Sequence, residues 1–150
     1  MAMTMNGEYQ LAAERQKVWE KLNDAETLKA CIPGCDELIK SADNEFQAVA
    51  TQKIGPVKAK FKGTVKLLDL DPPNGYRIQG EVNGGVAGFA KGGATVTLAD
   101  KDGGTLLTYN VEAQIGGKLA QLGQRLVNGA AKKVADDFFA NFAKAVAPGS

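Results

Sequence analysis

The 150-residue sequence contains no histidine and only two cysteines, Cys31 and Cys35. Without histidine, the chain lacks the commonest general base near neutral pH and the nucleophile and metal systems that depend on it. The CxxxC spacing differs from the redox-active CxxC motif, so we interpret the cysteines as ordinary thiols of a reducing compartment. We expect no catalytic residues and no metal site.

Long apolar runs and an excess of charge of one sign are also missing. No stretch approaches the roughly 20 apolar residues that cross a bilayer, and the first ten residues lack the pattern of a signal peptide. Lysine and arginine (18) nearly balance aspartate and glutamate (17), which provides no global field for nucleic-acid binding. We expect a cytoplasmic protein that binds no nucleic acid, with peripheral contact at the inner face of the membrane left open.

The composition is that of a globular domain. Hydrophobic residues make up 44% of the chain and charged residues 23%, which is typical of sequences that bury a core. Because 150 residues is an ordinary length for one domain, we interpret residues 1–150 as a single domain.

The last part of the chain has helical periodicity. Apolar residues recur there every three or four positions, at Leu119, Leu122, Leu126, Ala130, Val134, Phe138, Phe142 and Val146. This spacing predicts one amphipathic helix over about residues 117–146. Such a helix would be roughly 40 Å long at 1.5 Å per residue, and Pro148 and Gly149 would end it.

Upstream, the apolar period changes to two. Between Val57 and Leu67, apolar residues alternate with lysines, which predicts a half-buried strand with a basic outer face. Similar runs over residues 76–83 and 107–115, with short turn sequences between runs, predict antiparallel hairpins. A strand over residues 4–11 and two short helices over 13–23 and 25–32 precede them. The order predicts an α+β fold in which a curved antiparallel sheet of about seven strands surrounds the long helix.

Glycines concentrate in NGGVAGFAKGGA, residues 83–94. The segment contains no phosphate-loop motif and joins strand to strand. We interpret it as a mobile hairpin or a bulged strand at the rim of a cavity.

Several motifs resemble a known family. They are VWEKLNDAETLKACIPGC (18–35), IGPVKAKFKG (54–63), AGFAKG (87–92), GGKLAQLGQRL (116–126) and FF (138–139). Together they resemble the G-subunit family of carbon monoxide dehydrogenase over nearly the whole chain. The resemblance implies a helix-grip fold of the START/Bet v 1-like (SRPBCC) superfamily around a lipophilic pocket. It also implies an accessory role beside a molybdenum-containing hydroxylase, with membrane recruitment and quinone handling as expected tasks.

If the interior is hollow, side chains of the strands and of the long helix should line it. The candidates are Phe46, Phe61, Tyr76, Phe89, Tyr109, Gln121, Leu122, Arg125, Leu126 and Val134. Among them, Gln121, Arg125 and the two tyrosines are candidate hydrogen-bond partners for a quinone head group. For each residue the alternative that it fills a closed core, or lies on the surface, stays open.

The lysines of the alternating run form a one-sided basic stripe. Its members are Lys58, Lys60, Lys62 and Lys66, with Lys53 nearby. Such a stripe suits anionic lipid head groups or an acidic partner, and a plain solvated strand face is the alternative.

Three functional hypotheses follow. The first is a non-enzymatic accessory protein that binds an isoprenoid quinone, with no covalently bound cofactor, and links a molybdenum hydroxylase to the membrane quinone pool. The second is an assembly or recruitment factor that docks through its surface and holds no ligand. The third and least favoured is a small-molecule enzyme, such as a cyclase or hydrolase, on the same fold.

Overall fold

A computed structural model describes residues 1–148 as an antiparallel sheet wrapped around a carboxyl-terminal helix. The strands are β1 (Ala2–Leu11), β2 (Cys35–Ala42), β3 (Glu45–Ile54), β4 (Val57–Asp71), β5 (Gly75–Asn83), β6 (Phe89–Lys101) and β7 (Gly104–Gly116). The helices are α1 (Arg15–Leu22), α2 (Ala25–Cys31), α3 (Lys118–Gln121) and α4 (Gln124–Val146), and a 3-10 turn (Gly85–Ala87) joins β5 to β6. The predicted α+β fold, with two short helices after the first strand, is confirmed.

The seven strands lie in the order β1-β7-β6-β5-β4-β3-β2. Cross-strand register places Tyr76 opposite Val96 and Val96 opposite Tyr109, and all three side chains are buried. The chain neighbours Arg77 and Asn110 are exposed. Period-two alternation therefore assigns one row of side chains to an inner face that looks toward α4 and the next row to an outer face.

The core consists of two apolar clusters at opposite ends of the inner face. The first gathers α1, α2 and the end of α4 around Val18, Leu107 and Phe142, which are fully buried. The second gathers the β3–β4 turn, α3 and the start of α4 around residues such as Phe61 and Val127. Because burying one such side chain contributes about 1.5–3 kcal/mol, each cluster anchors one end of α4.

The segment between α2 and β2 follows its sequence signals. The Asp24 side chain accepts a hydrogen bond from the Thr27 backbone N–H at 3.1 Å, as an N-cap does. After α2, Gly34 has φ +72°, and a Cβ there would lie 2.3 Å from the Thr51 carbonyl oxygen. Only glycine fits this turn, which carries the chain into β2.

The prediction of one unbroken helix over residues 117–146 is wrong at its start. Gly123 has φ +90° and ψ 156°, so it separates the short α3 from the 23-residue α4. The apolar pattern runs through the break because Leu119, Leu122 and Val127 all pack in the second cluster. Pro148 lies two residues beyond the end of α4, and Gly149, the other predicted stop, lies outside the described residues.

A matched pair of glycine substitutions tests this break. Gly123→Ala should lower the free energy of unfolding by about 1–3 kcal/mol, because the conformation of Gly123 is open essentially to glycine alone. Gly129→Ala, inside α4 with nothing within 4 Å of its added Cβ, should raise it by about 0.5–1 kcal/mol. Urea unfolding followed by circular dichroism measures both. Stabilisation by both substitutions would contradict the break and favour a continuous helix.

Candidate ligand cavity

A pocket of about 210 Å³ lies on the inner face of the sheet. Strands β4 to β7 form its walls, which include Val65, Ile78, Gly80, Val82, Ala94, Val111 and Ala113. Val111 packs against both core clusters, which places the pocket between them. Glu81, Lys91 and Glu112 also border the pocket, but they are exposed members of the outer register row. The inner walls are therefore apolar, which suits a lipophilic group.

Small residues at matching register positions create the pocket. Gly80 lies opposite Gly92, and Gly92 lies opposite Ala113, so three adjacent strands present almost no side chain. A Cβ on Gly80 would meet only the Thr64 carbonyl oxygen at 3.6 Å and a Val65 methyl at 3.7 Å. Gly80 therefore borders open space.

The glycine-rich segment contributes Gly92 to this row. Its first part forms the 3-10 turn and its second part begins β6. The register of β6 with both neighbours is continuous, so the proposed bulge is wrong, and the segment is a turn followed by a regular strand.

Two larger depressions, of about 410 and 560 Å³, lie on the outer face. Charged side chains border both, such as Glu37, Lys62 and Glu81 around the first and Lys66 and Arg77 around the second. Because charged walls are a poor environment for a lipophilic ligand, we take the smaller apolar pocket as the candidate site.

Six of the ten expected lining residues face inward or are half-buried. Phe46, Phe61, Tyr76 and Tyr109 are buried in the two clusters that flank the pocket. Leu122 is half-buried in the second cluster, and the Val134 side chain is half-buried on α4. None of the six is a wall of the pocket itself, and their role in ligand binding stays a prediction.

The other four are placed differently from the expectation. Phe89 is 43% exposed because it shares the outer register row with Asn83 and Gly116. Leu126 is 39% exposed, since steps of four residues drift about 40° around a helix of 3.6 residues per turn. Val127 therefore occupies the inward position on this turn of the helix instead of Leu126. Gln121 and Arg125 are also exposed, so neither points into the interior.

An aromatic stack beside α4 escaped the sequence interpretation. The Tyr9 ring stacks on Phe139 at a centroid distance of 4.3 Å, and Phe139 stacks on Tyr109 at 5.5 Å. The Tyr9 hydroxyl donates a hydrogen bond of 2.5 Å to Asp136. Burial, followed by this hydrogen bond, raises the pKa of Tyr9, so its phenol stays a donor. The period-two pattern of β1, with Leu11 inward, was the available signal for Tyr9.

Asp136 is held in its charged form by two donors. The Lys132 ammonium lies 2.7 Å from one of its oxygens, and this hydrogen bond, followed by that from Tyr9, lowers the pKa of Asp136. Tyr9 thus links the aromatic stack to a carboxylate on α4.

Asn128 is a second polar group that sequence reasoning missed. Its amide oxygen is buried and accepts no hydrogen bond within the described residues. The residue follows Val127 and precedes Ala131 by three positions on α4, and both of these pack in the second cluster. A buried acceptor without a donor costs about 1–3 kcal/mol, which makes Asn128 a candidate for bonding to a ligand.

The two thiols are free, with Cys31 buried. Burial is the main cause that raises the pKa of both Cys31 and Cys35, so neither is an activated thiolate. Residues 1–148 contain no group of three or more cysteine, aspartate or glutamate side chains that could hold a metal ion. Within the same residues, no helix is both long and apolar enough to cross a membrane.

The basic stripe of β4 divides into two parts. Lys66 lies opposite Glu45, and Lys62 borders an outer depression with Glu81. Lys58 and Lys60, nearer the β3–β4 turn, lie opposite a lysine and a threonine instead. Neither of these two therefore has a carboxylate at its register position on β3.

Comparison with known proteins places the chain in a family. A sequence model described as the G subunit of carbon monoxide dehydrogenase (CoxG) matches residues 7–147. The chain belongs to the CoxG family. A search of curated proteins finds no match.

Several solved structures have the same fold as this CoxG-family chain. A conserved protein from Geobacillus kaustophilus is 33% identical, with a TM-score of 0.90 over 96% of this chain and 95% of that one. TTHA0849 from Thermus thermophilus is 14% identical, with a TM-score of 0.72 over 96% and 97%. The Zhui aromatase/cyclase from Streptomyces sp. R1128 is 10% identical, with a TM-score of 0.70 over 97% and 94%. The last two structures are similar in fold alone, and they confirm the predicted helix-grip fold.

The donors to Asp136 give a pH prediction. Lys132→Gln should raise the pKa of Asp136 by more than Tyr9→Phe does, because the Lys132 hydrogen bond is the larger cause of the lowered value. NMR titration of the side-chain carboxyl groups measures this, with the pKa of Asp24 as an internal reference that neither substitution should move.

The lowered pKa of Asp136 also makes the stability of the fold depend on pH. A folded-state pKa below the unfolded value of about 3.9 means that the interaction stabilises the fold above that pH and is lost as pH falls through the folded-state pKa. The destabilisation caused by Tyr9→Phe should therefore shrink in strong acid. An unchanged Asp136 titration in both variants would contradict the hydrogen-bond arrangement.

Proposed function

We propose that this CoxG-family protein binds a lipophilic quinone in the inner-face pocket and serves a molybdenum-containing, carbon monoxide dehydrogenase-type enzyme as a non-catalytic accessory protein. The observation that carries the proposal is the apolar pocket between two separate core clusters. Membership of the family supports the choice of partner.

The pocket is sized for a ring rather than for a whole isoprenoid quinone. Its 210 Å³ is below the roughly 300–1,000 Å³ of sites that bury a drug-sized ligand. We place the head group there, and the tail along the inner face between the sheet and α4. Burial of the tail, at about 25 cal/mol per Å² of apolar surface, offsets its loss from the bilayer.

Two polar groups that do not line the strand walls of the pocket are the candidate partners for the head group. Asn128 offers a buried amide oxygen, which accepts a hydrogen bond from a quinol hydroxyl, and its amide nitrogen can donate one to a quinone carbonyl. Tyr9 offers its hydroxyl oxygen as an acceptor for a quinol hydroxyl, because its one proton is already donated to Asp136. The electron chemistry belongs to the quinone and to the redox centres of the partner, so these residues bind and orient.

A second candidate function is small-molecule catalysis. It is supported by the fold likeness to an aromatase/cyclase and by the Tyr9–Asp136 hydrogen bond, which pairs a phenol with a carboxylate. Turnover of a linear polyketide analogue that Tyr9→Phe abolishes would replace the accessory role with this one.

Filling the pocket tests the proposal. Gly80→Leu places a side chain in open space on the inner face and should weaken binding of a short-tailed quinone at least tenfold. Gln79→Leu, the adjacent exposed position on the outer face, adds the same side chain outside the pocket and should leave affinity within about twofold. Titration monitored by native mass spectrometry and Trp19 fluorescence measures both.

The tail supplies a further readout in the same experiment. Affinity should increase with each isoprene unit and be lowest for a tail-free quinone, because most of the binding free energy is apolar. No saturable binding of any quinone, with co-purification of the hydroxylase intact, would replace the proposal with a surface-docking recruitment factor.

A further inference from the structure

Exposed apolar side chains gather at one end of the molecule. We call this end the apex: the β3–β4 turn at Gly55 and Pro56, the 3-10 turn Gly85–Ala87 and the α3–α4 junction at Gly123. Val86, on the 3-10 turn, is 84% exposed, and Leu126, just after the junction, is 39% exposed. Val86 protrudes from a turn, whereas Leu126, in the first turn of α4, packs against the β3–β4 turn and leaves part of its side chain open to solvent.

Contacts bring the three segments together. The Leu126 side chain lies against Gly55, with Cδ2 2.7 Å from the position of an added Cβ. Next to the 3-10 turn, a Cβ on Gly84 would meet the Phe61 ring at 2.5 Å. Ala87 and Phe61 both belong to the second core cluster, so the apex is one surface.

The segments of the apex also carry no carboxylates. Residues 46–68, 82–99 and 113–135 contain no aspartate or glutamate, although the whole chain has 17. Each segment of the apex comes from one of these stretches. Five cations lie in or beside it: Lys53, Lys58, Lys60, Lys118 and Arg125.

The cations of the apex have no ion-pair partners in the part of the chain that the structure describes. Lys53 lies directly opposite Lys58 in the β3–β4 register, and both are exposed. Like charges at directly opposed positions repel each other. The ion pairs found in residues 1–148 involve none of the five cations. An anionic partner would relieve this repulsion.

We propose that the apex docks onto an anionic lipid bilayer, with Val86 and Leu126 entering the interface and the five cations among the head groups. A bilayer fits better than an acidic protein because Val86 protrudes from a turn, and a protruding aliphatic side chain enters a deformable surface without a matching cavity. This inference deepens the proposed function and rests on it, because a protein that takes up a quinone needs contact with the bilayer that holds the quinone. The second cluster lies between the apex and the pocket. Its residues Ala90, Val111 and Ala113 also line the pocket.

Vesicle co-sedimentation of the full chain tests the proposal. We expect binding to phosphatidylglycerol-rich vesicles, weak binding to phosphatidylcholine vesicles, and a steep loss as salt is raised. Lys53→Gln combined with Lys58→Gln should weaken binding at low salt by roughly 25-fold, at about fivefold per charge. Val86→Asp should weaken it at least tenfold.

Matched controls separate the apex from general surface effects. Ile39→Asp changes an equally apolar side chain that is 56% exposed on the edge strand β2, and Lys40→Gln combined with Lys101→Gln removes two charges elsewhere. Both control variants should bind vesicles within about twofold of the unchanged chain. Equal losses in controls and apex variants would overturn the proposal, as would binding to no vesicle.

A quinone titration without vesicles keeps the two proposals distinguishable. Apex variants that bind the short-tailed quinone normally but fail on vesicles support docking through the apex. Quinone binding without vesicle binding overturns the apex proposal alone, and vesicle binding without quinone binding overturns the proposed function alone. If no vesicle binds and the lysine variant loses co-purification with the hydroxylase, the apex contacts an acidic protein surface and the bilayer proposal is wrong.

Discussion

The attachment of α4 at its two ends is the constraint on which the rest of the structure depends. Phe142 and Val146 fix its last turns in the first cluster, and Val127 fixes its first turn in the second. Between these anchors the helix presents alanines, such as Ala131 and Ala135, toward the inner face. Because each anchor is a compact apolar cluster, the middle of the helix does not need to touch the middle of the sheet.

The sheet matches this arrangement with its own small residues. Gly80, Gly92 and Ala113 stand side by side on three strands, and all three line the pocket. Small side chains at these strand positions leave a hollow, and large ones, such as Tyr109 in the first cluster and Phe61 in the second, stand to either side of it. Protein interiors are normally close-packed, and residual cavities cost free energy in proportion to their volume. An apolar group that fills the hollow recovers the missing dispersion contacts, so the same feature that limits stability supplies affinity.

The sequence was sufficient for the architecture because periodicity records which face of an element is buried. The alternation between Val57 and Leu67 gave the inner face of β4, and the apolar spacing near the end of the chain gave most of α4. The positive φ of Gly123 left no such trace, since the apolar pattern passes through the break.

The candidate site was less accessible to prediction. The ligand site was assigned to aromatic residues, yet those that face inward belong to the clusters, and the pocket is bounded by glycines, alanines and branched aliphatic residues. The pocket exists because small residues lie next to one another on neighbouring strands, and these residues become neighbours only when the strands pair. Cross-strand register therefore had to be known before Gly80 and Gly92 could be recognised as neighbours. The same holds for Tyr9 and Asp136, which meet across 127 positions of sequence.

The distribution of charge over the surface could likewise not be predicted from composition. A net charge of +1 argues correctly against a strong overall field, but it averages over a chain whose carboxylates are unevenly placed. Three long stretches carry none of them, and antiparallel pairing with the return of the chain through α3 brings one part of each stretch to the same end. Elsewhere cations face carboxylates, as Lys66 faces Glu45. At the apex Lys53 faces Lys58. The fold therefore concentrates positive charge at one surface, although the net charge of the whole chain is close to zero. That surface adjoins the cluster bordering the pocket, which gives a lipophilic ligand and an anionic bilayer a common side of the molecule.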